Sequence, residues 1–360
     1  MPDVLLFGAT GYTGSLTAEA LGRRGASFAV AGRNAAKLEA LAARTGASDA
    51  RVAEVGDVAA LTDALSDVKV LITCVGPFGQ LGDTAAEAAI RAGVHYLDST
   101  GEMAFIDRLL STFDRRAQDA GIVMAPAMGF DEVPADVAVT LATEGMGPAD
   151  LVLTYAAPAI ASTGTVRTIV ANIATSNARW IHDGHAITVR SASRSRWAPM
   201  PPPLGPKLGV SFPFAESALA PMHLELDSFE VYGVMSKAQA SAMRFTMPVI
   251  QGTLKISPLQ SLIGKVLDRR SPGPSDAQRS ASHWTLLAEA RDADNWRNVA
   301  LTGTDFYGLT AETLAAGALK LANEGHAESG VMSPVQAMGL DTLQKELIDF
   351  GVDVQVYEPV

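Results

Sequence analysis

A four-residue apolar run, Val4–Phe7, leads directly into the turn Gly8-Ala9-Thr10-Gly11-Tyr12-Thr13-Gly14, and a helical pattern then runs from Gly14 to Arg24. This junction limits the folds open to the chain more than any other segment does. A buried strand, a glycine turn of GxxGxxG spacing and a helix form the first half of a βαβ unit. Gly8 allows a sharp turn, Gly11 leaves room for a ligand to approach the backbone, and Gly14 lets the helix pack against the strand. The N–H groups of the first helical turn attract an anion such as a pyrophosphate. Thr10, Tyr12 and Thr13 lie between the glycines and join them as candidate dinucleotide contacts.

The strand-then-helix rhythm continues through the first third. Phe28–Ala31, Arg51–Val55, Val70–Thr73, His95–Asp98 and Ile122–Ala125 read as short buried strands. Ala35–Ala43, Asp83–Ala92 and Phe105–Asp119 read as the helices between them. Alternation of this kind predicts a parallel sheet covered on both faces. After Gly129 the rhythm changes. A helix is expected at Pro134–Ala142, and strands at Leu151–Ala156, Ala186–Ser191, Glu225–Val234 and His283–Arg291 without regular helices between them. The fold class is therefore α/β: a Rossmann-type parallel sheet domain over residues 1–130, then an α+β domain with a mixed or antiparallel sheet over 131–325, serving substrate or dimerisation.

The second strand decides between cofactors. NAD binders place an acidic residue at its end for the ribose hydroxyls. Here it ends Val30-Ala31-Gly32-Arg33-Asn34, with no carboxylate. The planar fork of Arg33 suits a 2′-phosphate, and Lys37 adds charge one helical turn later. NADP(H) is therefore preferred over NAD(H). Asp57 and Val58, after the third strand, are candidates for the adenine pocket, although Asp57 is equally placed to cap the next helix. Val75, Gly76, Pro77 and Phe78 follow the fourth strand, with Phe78 as an apolar wall beside the cofactor.

Acidic residues number 39 against 28 basic ones, a formal charge of −11. That balance disfavours nonspecific nucleic-acid binding. The single cysteine, Cys74, excludes an internal disulfide and a cysteine-built metal site. No HxxxH or HExxH spacing suggests zinc, no GxSxG elbow is present, and no tyrosine has a lysine four positions later. No apolar stretch is long enough to span a bilayer. A cytoplasmic protein is expected, with peripheral membrane contact and a homodimer left open.

Taken in order, Gly8–Gly14, Gly32-Arg33, Val75-Gly76-Pro77-Phe78, Tyr96-Leu97-Asp98-Ser99-Thr100-Gly101-Glu102 and Gly129-Phe130-Asp131-Glu132-Val133-Pro134 resemble the saccharopine dehydrogenase-like oxidoreductases. The likeness is narrower toward bacterial members related to trans-acting enoyl reductases, and Gly330–Pro334 adds a weaker match. The resemblance implies a Rossmann-type domain, a second α+β domain, and a C-terminal segment, 326–360, that returns to the first. It also implies reduction or oxidation of carbon–nitrogen bonds, or reduction of an enoyl intermediate in lipid synthesis. Glu132 stands where many relatives have a small hydroxyl, a departure that bears on the substrate assignment and not on the cofactor reading.

Reduction of a double bond also needs a proton donor. Tyr96, Asp98, Glu102 and Asp131 are the candidates; Tyr96 and Asp98 are expected on opposite faces of their strand, and Glu102 and Asp131 are each equally suited to capping a helix. Arg167, Arg179, Arg190, Arg194 or Arg196 could clamp a substrate carboxylate, three of them clustered at Arg190–Arg196. Phe212, Phe214, Phe245 and an amphipathic helix, Ser257–Arg270, could line an apolar cavity, and they tilt the balance toward a hydrophobic, lipid-like small molecule. The expected activity is an NADP(H)-dependent reductase of an enoyl or imine bond. An amino acid dehydrogenase of the saccharopine type and a noncatalytic NADP(H)-binding sensor are the alternatives.

Overall fold

The computed structural model describes residues 1–158, 161–172, 177–253 and 273–358. The expected helix Ser257–Arg270 lies outside them. The chain forms two compact units, one of Met1–Val133 with Tyr307–Glu346 and one of Pro134–Phe306 with Leu347–Val360.

The first unit is built on a seven-stranded sheet. Its strands are β1 (Val4–Phe7), β2 (Phe28–Gly32), β3 (Asp49–Val52), β4 (Val70–Thr73), β5 (His95–Asp98), β6 (Val123–Ala125) and the short edge strand Gly330–Val331. Their order is edge strand, β6, β5, β4, β1, β2, β3, and every pairing is parallel. Helices α1 (Tyr12–Arg23), α2 (Ala35–Thr45), α3 (Val58–Ala64) and α4 (Phe78–Ala92) connect β1 through β5. All residues of β1, β2 and β4 are buried, because a parallel sheet with helices on both faces has no wet side. The strand order reverses between β1 and β4. In open α/β sheets that reversal is where a crevice opens at the carboxyl ends of the strands.

Three local differences from the sequence expectation have physical reasons. First, β3 ends at Val52, before a turn through Gly56 at φ +100°. Second, α4 begins at Phe78 and not at Asp83, since a cap distant in sequence supports its first turn, as described below. Third, the expected helix Phe105–Asp119 is divided into α5 (Met103–Arg108), a π turn at Leu109–Phe113 and α6 (Asp114–Ala120). The π turn keeps both Leu109 and Phe113 buried.

The helix Phe306–Glu324 is lined with small residues and largely buried. Within the first unit it is tied to the segment after β6. Thr313 Oγ1 donates to the Met128 carbonyl at 2.7 Å, and the Phe130 N–H donates to Thr310 Oγ1 at 2.9 Å. Arg24, at the end of α1, pairs with Glu312 at 2.7 Å and Glu346 at 2.6 Å.

The second unit carries a mixed nine-stranded sheet. Its central strand, β7 (Ala149–Ala156), pairs parallel with Leu226–Val234 and antiparallel with Trp284–Arg291. The mixed sheet agrees with the expected fold class. Tyr307–Glu346 belongs to the first unit, whereas Asp353–Tyr357 pairs antiparallel with Trp296–Gly303 as an edge strand of the second sheet. Alternating valines, Val354 and Val356, suit that role better than any helix.

Candidate functional site

The glycine turn has the geometry that its spacing requires. Gly8 adopts φ +81°, a conformation that a side chain disfavours. A Cβ at Gly8 would lie 2.7 Å from Val75 Cγ2, so the loop after β4 rests directly on the turn after β1. A Cβ at Gly14 would lie 2.3 Å from the Gly8 carbonyl oxygen and 2.9 Å from Ala9 Cα. Only glycine lets α1 approach the turn this closely. Thr10 and Gly11 are exposed, while Tyr12 and Thr13 are half-buried. The Tyr12 ring meets the Tyr307 ring edge-on, with centroids 5.0 Å apart.

The helices that follow β1 to β4 differ at their N-termini. Asn34 Oδ1 accepts from the Lys37 N–H at the start of α2, and Asp57 Oδ1 accepts from the Ala60 N–H at the start of α3. Asp57 thus takes the capping role that was its alternative. The first turn of α4 is capped from outside the helix: Glu102 Oε1 accepts from the Phe78 N–H at 2.6 Å and Oε2 from the Gly79 N–H at 3.0 Å. The N-cap of α1, Gly11, offers no side-chain hydrogen bond of its own. A helix N-terminus at this turn carries a positive end that favours a phosphate.

Arg33 and Lys37 are both exposed beyond β2. Among the described residues Arg33 makes no ion pair. Val58 is half-buried at the first position of α3, and Gly76 is exposed. Phe78 was expected as a wall exposed to the cofactor. It is instead the first residue of α4 and 6% exposed, with its ring 5.8 Å from that of Phe105. The apolar wall is therefore part of the core, because capping by Glu102 turns this residue inward with the helix.

The proton-donor candidates separate clearly. Tyr96 and Asp98 share a face of β5, contrary to expectation, since a strand repeats every two residues. Tyr96 Oη donates to Asp98 Oδ2 at 2.6 Å. Asp98 Oδ1 also accepts from the N–H groups of Thr100 at 2.8 Å and Ala127 at 2.9 Å. Both residues are fully buried. Burial, and then the neighbouring Asp98 charge, push the Tyr96 phenol well above its ordinary range. Burial pushes Asp98 up to about 6 against the pull of its three donors. Neither group opens to a substrate. Glu102 is committed to α4. Asp131 alone is exposed; the protein around its carboxyl pushes its pKa up to about 6, and contact with water moderates that effect. Its Oδ2 lies 3.7 Å from where a Cβ on Gly101 would be, and Glu132 Oε1 lies 3.1 Å from the same point.

In the second unit, Arg196 is bound in a two-point ion pair to Glu289, at 2.6 and 3.2 Å. It is not available to clamp a substrate carboxylate. Phe214 stacks on Tyr155 at 4.4 Å and meets Phe212 at 5.1 Å. Tyr155 Oη donates to the buried Glu216 carboxylate. This tyrosine–glutamate pair escaped the sequence reading because nothing links residues 155 and 216 locally. The side chain of Phe245 lies outside the described residues.

Residues 4–124 match the family model of the saccharopine dehydrogenase NADP binding domain. The first unit is thus similar to the NADP binding domain of the saccharopine dehydrogenases, and the chain is an NAD(P)(H)-binding oxidoreductase. This oxidoreductase is 27% identical to a trans-acting enoyl reductase from Mycobacterium ulcerans, over 98% of this chain and 97% of that one. A lipid droplet localized protein from Caenorhabditis elegans is 34% identical over 38% of this chain and 35% of its own length. The apo saccharopine dehydrogenase (L-Glu forming) from Saccharomyces cerevisiae shares the fold over 100% of both chains, with a TM-score of 0.63 and 14% identity. Among the described residues, no helix is long and apolar enough to cross a membrane.

Proposed function

We propose that this oxidoreductase is an NADP(H)-dependent reductase of an activated double bond, an enoyl bond foremost, in a hydrophobic substrate. The observation that carries the cofactor reading is the glycine turn before α1, where Gly8 and Gly14 stand too close to their neighbours for a side chain and the N-cap, Gly11, has none. The backbone of Gly11, Tyr12 and Thr13 would hold the pyrophosphate. Arg33, exposed and without an ion pair among the described residues, would take the 2′-phosphate, with Lys37 beside it. Val58 would border the adenine beside the α3 cap Asp57, and Val75, Gly76 and Pro77 the opposite half. A reduced nicotinamide held by these residues would supply hydride for the reduction.

The chain's own part is to orient that cofactor, exclude water and provide a proton. Asp131 is the proton donor favoured by exposure. The enoyl reading is supported by the near full-length likeness to trans-acting enoyl reductases. A lipid-like substrate is supported by the Caenorhabditis elegans relative and by the Phe212, Phe214 and Tyr155 rings.

The test is NADPH oxidation by the purified protein, followed at 340 nm, against 2-enoyl thioesters of increasing chain length and against imines formed from an amino acid and a keto acid. Turnover of the thioesters alone supports the reading. Turnover of the imines alone replaces it with an amino acid dehydrogenase. NADPH binding with turnover of neither class favours a sensor.

A further inference from the structure

We infer that Glu102 is a positioning residue for the nicotinamide half of the cofactor, because its buried carboxylate anchors the loop after β4 from the end of β5. The inference rests on the cofactor reading above. In a doubly wound sheet the two halves of a dinucleotide lie on opposite sides of the strand-order reversal. With Arg33 at the end of β2 marking the adenosine side, the loop Cys74–Pro77 serves the nicotinamide side. The contact between Val75 and Gly8 places this loop beside the phosphate turn.

That loop feeds into α4, whose local N-cap, Pro77, offers no side-chain hydrogen bond. Glu102, only 4% exposed, supplies it from 24 positions away with both oxygens. Glu102 is itself held in a ladder: its N–H donates to Thr100 Oγ1 at 3.1 Å, and the Thr100 N–H donates to Asp98. Residues 102, 105 and 108 then grip α4 together at helical spacing. A Cβ at Gly82 would lie 2.4 Å from Phe105 Cζ, so that ring is pressed onto the α4 backbone. Arg108 donates to the Gly79 carbonyl at 3.0 Å and to Asp83 at 2.7 Å.

An anion fixed at this helix start has two effects. It sets where the loop after β4 stands, and it leaves α1 as the helix terminus that accepts the cofactor phosphates. The alternating residues Asp98, Thr100 and Glu102 thus connect the ends of β4, β5 and β6, with Ala127 bonded to the same Asp98.

The experiment compares the full-length protein with Glu102→Ala and Glu102→Gln, measuring affinity for NADPH and for 2′,5′-ADP, which carries the 2′-phosphate but lacks the nicotinamide half. Loss of charged hydrogen bonds to the loop should weaken NADPH binding roughly tenfold in Glu102→Ala, while 2′,5′-ADP affinity stays within about twofold of wild type. Glu102→Gln, which keeps the shape and one acceptor, should recover part of the NADPH affinity and serves as the test if the alanine variant does not fold. Equal loss for both ligands, or no loss for either, would overturn the inference and leave the cofactor reading standing. Failure of the wild-type protein to bind either probe would overturn both.

Discussion

Tyr96 Oη donates a 2.6 Å hydrogen bond to Asp98 Oδ2 from the same face of β5, deep in the first unit. Among the described residues the carboxylate collects three donors. Burial outweighs those donors, so its pKa rises to about 6. A carboxyl group whose folded pKa is raised binds protons more tightly in the native state. Its stabilising contribution is complete below the unfolded pKa, near 3.8, and is lost as pH rises through about 6. The full span is on the order of 3 kcal/mol.

The first prediction follows from that sign. The stability of the wild-type protein relative to Asp98→Asn should fall between about pH 4 and about pH 6 and be level above. Urea unfolding of both proteins across that interval measures it. A difference that does not vary with pH, or one that grows as pH rises, would contradict the assignment.

Gly14→Ala should be poorly tolerated. The new methyl would stand 2.3 Å from the Gly8 carbonyl oxygen, and the obstacle is backbone, not a movable side chain. The cost should reach the upper end of the roughly 1–3 kcal/mol typical of overpacking, and the displaced turn should lose NADPH binding. Thermal unfolding and fluorescence titration report the two effects.

Arg33→Ala should act on cofactor choice and leave folding alone, since Arg33 is exposed. Loss of a charged hydrogen bond to the 2′-phosphate predicts a drop of roughly 10- to 100-fold in the ratio of NADPH to NADH affinity. An unchanged ratio would remove Arg33 from the site.

Thr313→Val should destabilise the first unit without altering its shape. The hydroxyl donates to the Met128 carbonyl at 2.7 Å in a buried setting. An isosteric side chain leaves that carbonyl short of a donor at a cost of about 1–3 kcal/mol. Equilibrium denaturation should show a lower midpoint with an unchanged slope; a midpoint equal to wild type would mean that the bond contributes nothing.

The helix starting at Phe78 marks the boundary of what local pattern can reveal. Its last turns were legible from apolar spacing, but no Ser, Thr, Asp or Asn stands before it, so its beginning was misplaced at Asp83. The missing cap comes from Glu102. The inward turn of Phe78 follows from the same bond, which is why this side chain did not become the expected wall. Tyr96 and Asp98 differ from this case: their shared face was already implied by a spacing of two, and their hydrogen bond makes it explicit.

The sequence alone determined the parallel sheet, the glycine turn and the basic end of the second strand, because each depends on neighbouring residues: apolar runs that must be buried, backbone angles open to glycine, and a charge at a fixed distance from a turn. Only the tertiary structure decided that Glu102 caps α4, that Arg196 belongs to Glu289 and that Asp353–Tyr357 completes the second sheet. Those partners are 24, 93 and more than 50 positions apart. They meet because strand order brings them together, and no local periodicity encodes that order.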